Sequence, residues 1–135
     1  MNAPAVLTVS PETGVLSAVA DFVEGALRDG GVAEDIVFCV HLAVDEACTN
    51  IISYSRARSL SVSIQVCMED VTVIITDDGI AFDPLTAKPP DILGNDINNR
   101  QPGGLGVYLI RKSVDEVTYA RREGKNVLRM VKRRR

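Results

Sequence analysis

The sequence predicts an α+β two-layer sandwich, a mainly antiparallel sheet with helices on one face. Three observations lead there. Two amphipathic helical stripes follow one another, over residues 15–27 and 36–51. Two strand-like runs, residues 61–68 and 71–76, then stand side by side. Finally, there is no regular βαβ alternation of the kind that builds a doubly wound parallel sheet. At 135 residues the chain can bury a real core, and a single domain over residues 1–135 is expected.

Each element has its own reason. Ala5–Val9 is a short apolar run, read as an edge strand. Ser10-Pro11 reads as an N-cap with proline at the first helical position. Val15, Val19, Phe22, Val23, Ala26 and Leu27 carry the first stripe, and Gly30-Gly31 stops that helix. Ile36, Val37, Val40, Val44, Ala47 and Ile51 carry the second, which runs out near Tyr54. Val62, Ile64, Val66 and Met68 then alternate with Ser61, Ser63, Gln65 and Cys67, Glu69-Asp70 makes a turn, and β-branched residues fill 71–76. The pair is an antiparallel hairpin closed by Asp77-Asp78-Gly79.

Residues 84–102 change character, with four prolines and weak periodicity, the composition of a lid or binding loop. Gly103-Gly104-Leu105-Gly106 opens a helix to about Asp115. Residues 117–122 and 126–131 form a last hairpin about Glu123-Gly124-Lys125.

Composition narrows the function classes. Net charge is −3, with 46% hydrophobic and 24% charged residues, so no global attraction to nucleic acid or an anionic membrane is implied. The basic end, residues 132–135, reads as a solvated tail. Three cysteines without a CxxC pair, and one histidine, argue against a zinc site or a disulfide framework. His41 lies on the flank away from Glu46 and reads as structural or surface. No signal pattern opens the chain and no apolar run approaches ~20 residues, so no spanning helix and a cytoplasmic location are expected.

Three stretches carry chemistry. At 100° per residue, Glu46 and Asn50 share a helix flank whose other members, Cys39 and Ala43, are small. A carboxylate there can accept a proton, and an amide oxygen can ligate a hard cation without adding charge. Asp77, at a strand end, can accept the exocyclic amine of a buried adenine, with Gly79 letting a flat ring approach the backbone. Gly103-Gly104-Leu105-Gly106 offers backbone N–H groups at a helix N-terminus, suited to polyphosphate; no Walker lysine follows. Taken singly, each has an ordinary alternative: a solvated edge, a plain DDG turn and a glycine hinge.

Together the helical Glu-x-x-x-Asn (DEACTN, residues 45–50), the Asp-x-Gly after a strand (DDGIAFDP, residues 77–84), the long lid and the GGLG helix entry form a specific order. The chain resembles the GHKL ATPase superfamily and, within it, the anti-sigma-factor serine/threonine protein kinases of bacterial partner switching. The resemblance runs from Pro11 to Arg133. It implies a Bergerat-type sandwich, with a mixed, mainly antiparallel sheet, that binds ATP and Mg²⁺. By that resemblance Glu46 matches the catalytic base, Asn50 the Mg²⁺ ligand and Asp77 the adenine-reading acid above Gly79. Gly104, Leu105 and Gly106 match the phosphate-wrapping turn, with Gly103 as its hinge. Arg100 in the lid reaches a γ-phosphate or is a solvated loop cation.

There are departures. Ala81 stands where many relatives have a second glycine, Ser53 falls near a common histidine, and a threonine frequent in the last strands has no match near Asn126-Val127. The implied partners are an antagonist (STAS) domain bearing the acceptor Ser or Thr, a sigma factor or equivalent regulator, and a second copy in a homodimer. The alternative, from a different class, is a nucleotide-gated sequestering protein with little or no kinase activity. A sensor-kinase ATPase module is disfavoured because no phosphoacceptor region accompanies the domain.

Overall fold

The computed structural model describes residues 3–12, 14–86 and 104–135. In chain order these form β1 (Ala5–Val9), α1 (Val15–Asp29), α2 (Glu34–Asn50), a π turn (Ile51–Ser55), β2 (Leu60–Val66), β3 (Asp70–Asp77), a 3-10 turn (Pro84–Thr86), α3 (Gly104–Ser113), β4 (Glu116–Arg122) and β5 (Lys125–Arg133). The strands make one sheet in the order β1-β2-β3-β5-β4, and all four pairings are antiparallel. β1 is an edge strand, as its short apolar run suggests. The helices cover one face of the sheet, where Val62, Ile64, Val71, Val73, Ile75, Leu128 and Met130 meet Val19, Val23, Leu27, Val40, Val44 and Ile110.

α2 is the central helix, flanked by α1 and α3. Its stripe (Ile36, Val37, Val40, Val44, Ala47) is buried as the period requires. Together with the π turn it runs without a break over Glu34–Ser55, 22 residues whose most apolar 18-residue window has mean hydropathy 1.5. That corrects the expectation that no apolar run nears spanning length. Half of its most apolar window is buried inside the fold, which is the pattern of a core helix. On its other side His41 Nδ1 lies 2.7 Å from Glu24 Oε2 of α1, a structural contact.

Local chemistry sets the ends. α1 begins at Val15 behind Gly14 with no side-chain cap, rather than at Ser10-Pro11. β1 ends at Val9 as expected, residues 10–12 are neither strand nor helix, and a turn in which Val15 N–H donates to Glu12 O at 2.9 Å leads into the helix. The stop is as expected: Gly31, at φ +72°, closes a Schellman motif in which Gly31 N–H donates to Arg28 O and Val32 N–H to Leu27 O. The β2–β3 turn falls over Cys67–Glu69, one step earlier than the expected Glu69-Asp70, with Cys67 N–H donating to Asp70 O at 2.9 Å. Met68 therefore sits exposed at its tip instead of continuing the inward face. Glu123 and Gly124, both at positive φ, form the two-residue β4–β5 turn.

Candidate active site

The site lies where the C-terminal end of α2 faces the ends of β3 and β5. Glu46 is half-buried on α2, and burial first, then the neighbouring charge of Asp45, raises its carboxyl pKa above the ordinary glutamate value. Asn50, one turn on, is 7% exposed. The flank that small residues leave open is covered by α3, and Gly106 makes the approach possible. A Cβ there would lie 3.1 Å from Asn50 Nδ2, 3.2 Å from Asn50 Oδ1 and 3.4 Å from Glu46 Oε2. The GGLG stretch and the Glu-x-x-x-Asn pair, 60 positions apart by the numbering of Glu46 and Gly106, are thus brought into contact.

At the other end, alternation along β3 turns Asp77 inward and Asp78 outward. Asp77 is 4% exposed, and its Oδ1 accepts from Gly79 N–H at 2.9 Å and from Asn126 Nδ2 at 3.1 Å. Asp78 Oδ1 instead accepts from Arg58 N–H and Ser59 N–H at 2.7 and 3.0 Å. Those backbone donors, Ser59's first, hold its carboxyl below the usual aspartate range. Gly79 is pressed onto the π turn: a Cβ would sit 2.1 Å from Ser55 O, and Ile80 N–H donates to that same carbonyl at 2.7 Å. Ala81 is exposed.

Between these ends lies a cavity lined by Asn50, Ser55, Asp77, Phe82, Tyr119 and Asn126, among others. The space left is about 20 Å³, room for one water. The Phe82 ring, 5.6 Å from that of Tyr54, and the buried Pro84 fill the rest. As it stands the space does not hold a purine ring, and Phe82 and Pro84 are among the side chains that occupy it. Asn50 Nδ2 and Ser55 Oγ are, among the described residues, the buried side-chain polar atoms that have no hydrogen-bond partner. Leaving such atoms unpaired costs on the order of 1–3 kcal/mol each, which a ligand supplying partners would recover.

Sequence reasoning did not single out Ser55, Phe82, Tyr119, Asn126 or Arg121, whose Nη1 donates to Gly79 O at 2.8 Å. The one available hint was the missing threonine near Asn126. Arg100 and Gly103 lie outside the described residues, as does most of the 84–102 stretch. Gly104 and Leu105 are placed in the first turn of α3.

Residues 9–132 match the family of histidine kinase-like ATPase domains. The chain belongs to that family. As a histidine kinase-like ATPase domain it is homologous to anti-sigma-factor serine/threonine kinases. It is 34% identical over 107 residues to the serine/threonine-protein kinase BtrW of Bordetella bronchiseptica, covering 76% of this chain and 74% of that one. It is 28% identical over 122 residues to the serine-protein kinase RsbW of Halalkalibacterium halodurans, covering 82% and 72%. Among solved structures, the RsbU and RsbW domains of a Mycobacterium tuberculosis protein superpose with a TM-score of 0.69 at 13% identity, over 98% of this chain and 32% of that one. The histidine kinase AdeS of Acinetobacter baumannii gives 0.50 at 15% identity, over 99% and 69%. Both likenesses are of fold.

The residues present suit the nucleotide and metal that histidine kinase-like ATPases imply. No group of three or more His, Cys, Asp or Glu among the described residues could hold a metal ion by itself. Mg²⁺ commonly takes one or two protein oxygens and completes its shell with phosphates and water, so a lone amide beside the α3 N-terminus fits that habit.

Proposed function

We propose that this histidine kinase-like ATPase domain is an ATP- and Mg²⁺-dependent protein serine/threonine kinase of the anti-sigma-factor type, acting in the cytoplasm. It would hold a sigma factor or equivalent regulator and phosphorylate a Ser or Thr on a small antagonist (STAS) domain. The observation that carries this reading is the meeting of Glu46, Asn50 and the side-chain-free face of Gly106, with Asn50 also lining a cavity that Asp77 borders.

Phosphoryl transfer asks for positioning, charge neutralisation and an oriented nucleophile. Asp77 and Gly79 would seat the base, and the N–H groups of the first turn of α3 would face the phosphates. Asn50 Oδ1 would hold Mg²⁺, which neutralises phosphate charge when bound. Glu46 would accept, or orient, the proton of the incoming hydroxyl. Its raised pKa makes it a better proton acceptor than an ordinary carboxylate, provided it remains ionised. A protein that only sequesters a partner needs the metal amide but no base, and Glu46 favours the kinase for that reason.

Incubation of the wild type with γ-labelled ATP, Mg²⁺ and a candidate antagonist domain tests the reading. Label on a Ser or Thr of the antagonist is expected. Nucleotide binding without transfer to any cognate antagonist would leave a sequestering protein instead.

A further inference from the structure

The side-chain amide of Asn126 is fully engaged. Its NH₂ donates to Asp77 Oδ1 at 3.1 Å and to the Ile80 carbonyl at 2.7 Å. Its oxygen accepts from Phe82 N–H at 3.2 Å and from the Tyr119 hydroxyl. These partners fix the amide's orientation, since turning it over would set oxygen against two acceptors and NH₂ against two donors. Asn126 is 5% exposed and stands directly opposite Asp77 in the β3–β5 register.

The consequence for Asp77 is chemical. Oδ1 already receives two protein donors, Gly79 N–H and Asn126 N–H. A carboxylate oxygen so occupied has little capacity for a third, which leaves Oδ2 to meet a ligand. Asn126 also ties down both sides of the turn that borders the cavity, through Ile80 O and Phe82 N–H. Asp77 is thereby held in one rotamer, as an acceptor only. An acceptor fixed at that point attracts a base edge carrying an exocyclic amine and repels one carrying a carbonyl.

We propose that Asn126 is a positioning residue that makes the cavity select a 6-aminopurine over a 6-oxopurine, acting through Asp77. The inference rests on the nucleotide reading above. It goes beyond it by assigning base selectivity to a residue on β5.

The test compares Mg-ATP with Mg-ITP, which differ at the 6-substituent, by titration of the folded wild type, Asn126→Leu and Asn126→Ala. The wild type should bind ATP about 10²-fold or more tighter than ITP. Asn126→Leu should lower that ratio by about tenfold, chiefly by weakening ATP, because Asp77 is then held by the Gly79 N–H alone. A variant that weakens both nucleotides by one common factor would show mere structural support and overturn the inference. If the leucine variant does not fold, the alanine variant is read by the same ratio. A wild type that binds ATP and ITP equally would overturn the inference and leave the nucleotide reading standing. A wild type that binds neither would overturn both.

Discussion

Gly106 and Asn50 are in contact, with only 3.1 Å between the asparagine Nδ2 and the point a Cβ on the glycine would occupy. Helix α3 touches the Glu46 flank through bare backbone. In a helix, glycine is less favourable than alanine by about 1 kcal/mol, so a glycine kept at this point works against stability. Gly106→Ala should therefore melt at or slightly above the wild-type temperature. Its affinity for Mg-nucleotide should nevertheless fall, by roughly tenfold if Asn50 is displaced by a few tenths of an ångström. Paired thermal melts and titrations check this. Unchanged affinity would show that the position of Asn50 does not govern Mg-nucleotide binding.

Glu46→Gln separates chemistry from binding. Transfer to the antagonist should fall by roughly 10²–10⁴-fold while ATP affinity changes little. The stability effect has a definite sign. Burial raises the folded pKa of Glu46 above its unfolded value, so stability is greatest below the unfolded pKa and declines as pH rises through the folded one. Glutamine removes that decline. The variant should be at least as stable as the wild type at pH 7, with the gap closing towards pH 4. A less stable variant at pH 7 would mean that the ionised carboxylate is stabilised by a partner.

Gly79→Ala meets a harder obstacle. Its Cβ would fall 2.1 Å from the Ser55 carbonyl oxygen, a backbone atom with no rotamer to change. The cost should be about 1–3 kcal/mol or more, read by denaturant unfolding, because the Ile80–Ser55 hydrogen bond must open to relieve the clash. Gly25→Ala, in α1 with nothing within 4 Å, is the control and should stabilise by up to about 1 kcal/mol.

Phe82→Ala should speed nucleotide association. The ring fills space that a purine needs, and the room left beside it is about 20 Å³. Stopped-flow mixing with a fluorescent ATP analogue reads the rate. An unchanged rate would mean that the 82–84 segment is not what obstructs the base.

Much of this was legible because it is local. The period-two run at Val62–Val66, the stripe of α2 and the Gly30-Gly31 stop each state their outcome within a few residues. Spacing also anticipated that Glu46 and Asn50 lie together on one helix flank and that Asp77 and Gly79 share a strand-end turn. What was missed depends on distant pairing. Asn126 looks like an ordinary strand entry, and only its register with Asp77 gives it four partners. Ser55 is turned inward by the π turn that ends α2, which a helical wheel at constant pitch does not anticipate. Ser10-Pro11 misled because Ser-Pro suits a turn as well as a helix start, and here a turn closed by Val15 N–H on Glu12 O precedes the helix.

The Asp77–Asn126 pairing also sets an order of assembly. The two residues are 49 positions apart, and closing a loop of that length costs about 3.5 kcal/mol of chain entropy. The α1–α2 pair and the β2–β3 hairpin need no such closure. They can form while the chain is still being synthesised, with Glu46 and Asn50 already in place on their helix. The Asp77–Asn126 contact appears only once β5 has zipped against β3, because Asn126 arrives with that strand. Under the proposed function, ATP would then stabilise the completed sheet rather than its earlier pieces. A nascent chain that stops short of β5 carries Glu46, Asn50 and Asp77 but not Asn126, so under the proposed nucleotide reading the base would meet an Asp77 that nothing from β5 yet holds.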